Sequence, residues 1–248
     1  MSEFTTPTTD PRWGADKRNI KAEQIAHILE NLGRVKLEQS NVLDIGCGSG
    51  GIAAHLAPRV QSMTGMDPEP WPRWDIWLEA HPNLKFMQGS VESNSLEPHS
   101  FDVIICNQVY EHVPDPQALI QLIARLIKPE GIVYFAGPNL LFPIEPHVFW
   151  PFVHWIPREL AIKIMKAFRA KYIDYLDAYS THYWKLKSWL SPQFEIKNAI
   201  PFLIRETHPV IKDKKTLTSH IPSSVLSILT PLTPGFVFLL KPRENVMK

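Results

Sequence analysis

The chain has 248 residues, 44% of them hydrophobic and 21% charged, so it can bury a full core and is neither a small stapled module nor a disordered chain. A formal net charge of +1 provides no global attraction to nucleic acid. The two cysteines, Cys47 and Cys106, are too few for a disulfide framework and lack the companions of a zinc site, which points to a reducing, cytoplasmic compartment.

Residues 1–16 carry Glu3 and several Thr and Pro where an export signal needs an apolar core, and read as a flexible arm ahead of one domain spanning 17–248. Between Lys17 and Leu32, the residues Ile25, Ile28, Leu29 and Leu32 fall at i, i+3, i+4 and i+7, which predicts an amphipathic helix capped by Gly33. Val42, Leu43 and Ile45 then form an apolar strand, Gly46 to Gly51 a loop with almost no side-chain bulk, and Ile52, Ala53 and Leu56 resume at helical spacing. Such a turn lets backbone approach a nucleotide-like ligand closely, beside the positive end of a helix dipole. Gly46, Gly48 and Gly51 also satisfy the dinucleotide pattern GxGxxG, but Asp44 stands where a dinucleotide-binding strand carries a buried apolar residue. A lone carboxylate there is costly and needs a donor or a cationic ligand.

Val60 to Met66 reads as a second strand ending at Asp67, roughly twenty residues beyond the glycines; that carboxylate can accept from both hydroxyls of a ribose, or merely cap the next helix. Trp71, Trp74 and Trp77 repeat every third position, a ridge assigned to core packing ahead of substrate contact. Leu84 to Met87 is a short third strand followed by Gly89, Ser90 and Val91, and Phe101 to Cys106 reads as a central parallel strand leading into Asn107, Glu111 and His112. Asp115 and Pro116 open a helix with a stripe of Leu119, Leu122, Ile123, Leu126 and Ile127. Ile132 to Ala136 and Phe236 to Leu240 read as further strands. Ile221 to Leu240 lacks charge, yet Pro222, Pro231, Pro234 and Gly235 break it into a short helix and a strand in place of a membrane span.

The string Asp44, Gly46, Gly48, Gly50 resembles the DxGxGxG signature of class I S-adenosylmethionine-dependent methyltransferases. FDVIICNQVYEHV, an amphipathic helix and LIKPEGIVYF are similar to the same family's fourth and fifth strand region, so the resemblance covers about residues 20–136. It implies a Rossmann-like α/β fold with a mostly parallel seven-stranded sheet and an antiparallel C-terminal strand, with Phe194 to Ile200 and Phe236 to Leu240 as its sixth and seventh strands. It also implies S-adenosyl-L-methionine as cofactor, with Asp44, Gly46, Gly48, Gly50, Asp67, Ser90, Val91 and Asn107 around it. The family usually reads Gly-Asp-Ala where this chain has Gly89, Ser90 and Val91, and the departure shifts the expected adenine contact toward the Val91 backbone.

Residues 137–181 exceed the loop and helix needed between strands five and six. Phe142, Phe149, Trp150, Phe152 and Trp155 among four prolines predict an irregular folded cap. A helix is expected from Pro157 to about Leu176, with Leu160, Ile164, Met165, Phe168 and Tyr172 on one side and Lys163, Lys166, Arg169 and Lys171 on others; it covers substrate, lies on a membrane surface, or is core. Methyl transfer is an in-line displacement that chiefly needs alignment and exclusion of water, helped by a base when the acceptor is a hydroxyl. His112, Glu145 and His147 are the candidate catalytic residues, with Glu111, which precedes His112, and His182, ahead of the helix before strand six, as further positions from which help could come; the alternative for His112 is a histidine that fixes its own loop. No metal is expected, because no His, Cys and carboxylate cluster stands at ligand spacing and adjacent Glu111 and His112 point apart on any regular element. The reading is methylation of a small-molecule, saccharide or lipid-linked hydroxyl, with peripheral contact at the cytoplasmic membrane face as an option. A degenerate cofactor-binding protein and a nicotinamide-dependent oxidoreductase are the alternatives.

Overall fold

The structure, a computed structural model, describes residues 15–171, 173, 176, 179–205 and 221–243. Most of the expected N-terminal arm, and Tyr172 of the expected cap helix, lie outside the described residues. Helix α1 (Ala15–His27) runs on through one π-helical turn, Ile28–Leu32, and buries Ile25, Ile28 and Leu29 as the periodicity requires. Gly33 closes it with a right-handed φ of −82°; the reason for glycine is space, since a Cβ would sit 2.6 Å from the Leu29 carbonyl oxygen.

Alternation of strand and helix follows: β1 (Asn41–Ile45), α2 (Gly51–Leu56), β2 (Ser62–Asp67), α3 (Trp74–Ala80), β3 (Leu84–Gln88), β4 (Phe101–Asn107), α4 (Pro116–Leu126) and β5 (Ile127–Pro138). Asp115 caps α4 by accepting from Gln117 N and Ala118 N at 2.9 and 3.1 Å, with Pro116 in the first turn. Strand β5 is longer than expected and takes in Lys128 to Gly131, because pairing with β4 resumes at Phe101 and Ile127 across an irregular step. A small hairpin of β6 (Ile144–Glu145) and β7 (Trp150–Pro151), then α5 (Arg158–Ala167), build the cap, and α6 (Tyr183–Leu190), β8 (Phe194–Asn198), α7 (Ile200–Arg205), α8 (Ser223–Leu229) and β9 (Gly235–Pro242) complete the fold.

Among the described residues seven strands form one sheet in the order β3-β2-β1-β4-β5-β9-β8, with β9 antiparallel to both neighbours and the rest of the pairs parallel. One face packs against α1 and α2 through Ala22, Ile25, Ile52, Ala53 and Leu56, the other against α4 and α6 through Leu119, Ile123, Leu186 and Leu190. Chain order reverses between β1 and β4, so a crevice opens at their carboxyl ends.

The cap has its own small core of Val148, Val153, Ala161, Met165 and Leu176. Helix α5 stops at Ala167, nine residues short of the expected end, and Arg169 turns the chain with φ 52°. Its buried face is Ala161 and Met165, while Leu160 and Phe168 of the expected apolar stripe are 48% and 72% exposed. No helix among the described residues is long and apolar enough to cross a membrane; residues 223–229 form α8 and 235–242 form β9, as the prolines required.

Candidate active site

The glycine loop joins β1 to α2 with Gly46, Gly48 and Gly50 at φ of 66°, 51° and 79°. These are left-handed positions that penalise any side chain. Gly51 begins α2 with ordinary helical geometry, so the constrained glycines are those of the DxGxGxG frame and not the third glycine of GxGxxG. At Gly46 a Cβ would lie 2.7 Å from Val109 Cγ2, whereas at Gly48 the nearest atoms, on Arg18 and Trp71, are 4.0 Å away. Gly48 is therefore the least crowded of the three.

Asp44 lies beneath this loop, 2% exposed, and its Oδ2 has no hydrogen-bond partner. Burial pushes its pKa up to about 7 against the opposing pull of the Arg18 guanidinium, and Asp67 adds to the rise. Arg18 comes from α1, its stem crossing Gly51 at 3.2 Å from where a Cβ would be. Burial lowers the pKa of Arg18, while Asp44, Cys47 and Asp67 raise it. The cation that Asp44 demands is thus partly supplied by a residue that sequence reasoning missed.

Asp67 stands at the end of β2 beside the glycines. Its Oδ2 accepts from Gly48 N at 2.8 Å and its Oδ1 from Glu69 N at 3.1 Å and Trp71 Nε1 at 3.3 Å. Trp74 Nε1 donates to the Gly48 carbonyl at 2.9 Å and Trp77 Nε1 to the Ser49 carbonyl at 3.0 Å, while Trp74 stacks on Phe86 at 4.9 Å. The tryptophan ridge, expected to pack the core ahead of contacting substrate, also holds the glycine loop through its indole N–H groups.

Farther along the crevice, Ser90 Oγ donates to Glu92 at 2.9 Å and accepts from Ser93 N at 3.2 Å, so its hydroxyl is engaged within its own loop. Val91 packs half-buried in the core cluster that includes Met66 and Cys106. Asn107, closing β4, has a buried Oδ1 with no partner.

Gln108, at φ 59°, turns the chain out of β4, and Tyr110, Glu111 and His112 follow on a turn, not on a regular element. Glu111 is fully buried with both carboxylate oxygens unpartnered. Burial raises its pKa to about 7, partly offset by its own backbone N–H, which lies near but not at hydrogen-bond geometry, and by His147, while Glu145 adds to the rise. His112 is 41% exposed, its Nε2 4.0 Å from Glu111 Oε1, and its ring meets that of His147 edge-on at 5.2 Å. His147 arrives from the cap hairpin, where Glu145 accepts from its Nδ1 and from the backbone of His147 and Val148, all at 2.7 Å. Burial opposes ionisation of Glu145, but these bonds outweigh it and lower its pKa. One ligand atom each of Glu111, His112 and His147 lies within 4.8 Å of the others, a cluster that the expectation of no metal did not contain. His182 stays apart as the N-cap of α6, its Nδ1 accepting from Lys185 N at 3.2 Å.

Known proteins agree with this architecture. A ubiquinone biosynthesis O-methyltransferase of Vibrio cholerae is 40% identical over 102 residues, which are 40% of this chain and 42% of that protein, so less than half of the relative is spanned. One of Neisseria meningitidis is 28% identical over 216 residues, 85% of this chain and 80% of that protein. The crystal structure of an S-adenosylmethionine-dependent methyltransferase from Mesorhizobium loti superposes with a TM-score of 0.56 at 13% identity, covering 93% of this chain and all of that one, a likeness of fold. The family described as methyltransferase domain matches residues 17–190, and the chain belongs to it.

Proposed function

We propose that this methyltransferase moves a methyl group from S-adenosylmethionine to a hydroxyl oxygen of a small molecule held between the glycine loop and the cap. The observation that carries the reading is Asp44, a buried carboxylate with an unpartnered oxygen beneath three left-handed glycines. A ligand with a sulfonium and an ammonium and no phosphates fits that charge, and Gly48 is the least crowded of the three glycines. Asp67 sits where ribose hydroxyls would be received, the Asn107 amide oxygen is a second buried acceptor, and the Val91 backbone, in preference to the engaged Ser90, is assigned to adenine. When bound, the cofactor supplies an electrophilic methyl carbon. The chain's own residues align the acceptor, exclude water and take up the hydroxyl proton at the cluster of Glu111, His112 and His147. Glu145, whose carboxylate is occupied by His147 and its own hairpin, acts as a positioning residue. The names of the relatives support a hydroxyl acceptor.

The test is a panel of phenols, catechols, saccharides and lipid-linked alcohols incubated with isotopically labelled methyl donor. His147→Ala and Glu145→Gln lower turnover on the accepted substrate while affinity for S-adenosylhomocysteine stays within about twofold, some 0.4 kcal/mol. Cofactor binding with no acceptor methylated would leave a cofactor-binding protein in its place.

A second reading concerns delivery of a lipid-linked acceptor. Phe149, Phe152, Trp155 and Phe168 of the cap are each at least half exposed, and Lys163, Lys166 and Arg169 are exposed around them, a composition suited to an anionic bilayer surface at the cytoplasmic face. Reversing the three cations to Glu abolishes sedimentation with anionic vesicles and leaves turnover of a soluble substrate unchanged; sedimentation that persists removes this reading.

A further inference from the structure

We infer that Glu111, His112 and His147 form a binding site for one divalent transition-metal ion of the zinc type, with Glu145 as the residue that orients His147. Three observations converge. Glu111 is fully buried with neither carboxylate oxygen hydrogen-bonded, an arrangement that is expensive unless a cation or donor completes it. The two imidazoles that face it bring one candidate ligand atom each to within 4.8 Å of one another and of the carboxylate. Glu145, itself 2% exposed, holds His147 Nδ1 at 2.7 Å, and a histidine whose Nδ1–H is donated to a carboxylate presents Nε2 as the basic nitrogen, the arrangement found behind metal-bound histidines.

The surrounding backbone keeps the set in place. Gln108 N bonds Ala136 O at 2.8 Å, Tyr179 N bonds Glu111 O at 2.8 Å, and the Tyr110 hydroxyl bonds the Pro138 carbonyl across the root of the cap. Gly137 leaves room at the carboxylate, since a Cβ there would lie 3.3 Å from Glu111 Oε2. His112, 41% exposed, gives the ion a path from solvent. Ligands of a bound ion sit roughly 3.0–3.5 Å apart when metal–ligand bonds are near 2.1 Å, so loading draws the three groups inward by roughly 1 Å. Two imidazoles and one carboxylate suit zinc-like ions and disfavour magnesium, which prefers oxygen ligands.

Three protein ligands leave coordination positions for the substrate. Resting on the hydroxyl-methylation reading, the ion takes the acceptor oxygen and makes its proton more acidic. With the ion bound the three side chains are its ligands and no longer take up the proton, which leaves to bulk water instead; an oxygen electron pair forms the new C–O bond to the methyl carbon, and the C–S electrons return to sulfur as a neutral thioether. Nothing is oxidised or reduced.

The experiment is calorimetric titration of chelator-dialysed protein with Zn²⁺, without methyl donor or acceptor, and absorption spectroscopy after Co²⁺ loading. One Zn²⁺ per chain is expected, weakened at least about tenfold by His112→Ala or His147→Ala and about 10–100-fold by Glu145→Gln. Affinity for S-adenosylhomocysteine, measured on each variant, certifies folding; if Glu111→Gln does not fold, His112→Ala, at an exposed position, decides. No stoichiometric uptake, or uptake undiminished in both histidine variants, overturns the site. Because the titration contains no reactants, a loaded protein that methylates nothing refutes the function and spares the metal site, and transfer by a protein that takes up no Zn²⁺ does the reverse.

Discussion

Asp44→Asn isolates the electrostatic cost of the cofactor site. Burial raises the Asp44 pKa from 3.8 to about 7, so the folded protein binds a proton there more tightly than the unfolded chain does. The sign follows: this group costs no stability below its unfolded pKa, the cost grows as pH rises toward 7, and above that it is constant at about 4 kcal/mol. Between about pH 5 and about pH 8 the added cost is about 2–3 kcal/mol. Asparagine preserves shape and carries no charge, so the stability of the variant relative to the parent should rise by that amount across the interval, other titrating groups cancelling in the difference. Urea denaturation of both proteins at the two pH values measures it. Affinity for S-adenosylmethionine should move the other way: the parent binds more tightly as the carboxylate ionises, and the variant binds weakly with no such pH dependence. A variant that is less stable than the parent at the higher pH, or a stability difference that does not change with pH, would refute the argument that Asp44 is an undercompensated buried charge.

Asp67→Ala removes the acceptor for Gly48 N and the seat assigned to the ribose, and should weaken S-adenosylhomocysteine by about 1–3 kcal/mol in calorimetry; unchanged affinity removes the assignment. Trp74→Phe keeps the stack on Phe86 but leaves the Gly48 carbonyl only the weak Cys47 thiol donor at 3.7 Å, and should cost about 1–3 kcal/mol in denaturant unfolding together with weaker cofactor binding. A stable variant with intact binding would return the tryptophan to plain core packing.

The parts of this protein legible in the sequence are those whose causes are local. The glycine loop could be read because three left-handed backbone positions tolerate little besides glycine, and α4 because its cap and its stripe repeat within eleven residues. Asp44 was conspicuous because a carboxylate interrupted an apolar strand, and Asp67 because its distance from the glycines is set by one βα unit. What lay beyond the sequence depends on which distant surfaces meet. The indoles of Trp74 and Trp77 reach the glycine loop only once α3 folds back over it, and Arg18 reaches Asp44 only because α1 packs on α2. Adjacent residues point apart on a helix or a strand, and that rule failed for Glu111 and His112 because Gln108 turns the chain off the strand. Periodicity predicted a longer cap helix, and of its apolar stripe Met165 is buried while Leu160 and Phe168 are exposed, since the small core around Met165, and not the repeat itself, selects the buried side. His147 joins Glu111 across 35 intervening positions of cap and strand, a juxtaposition no spacing in the chain encodes and only the tertiary structure supplies.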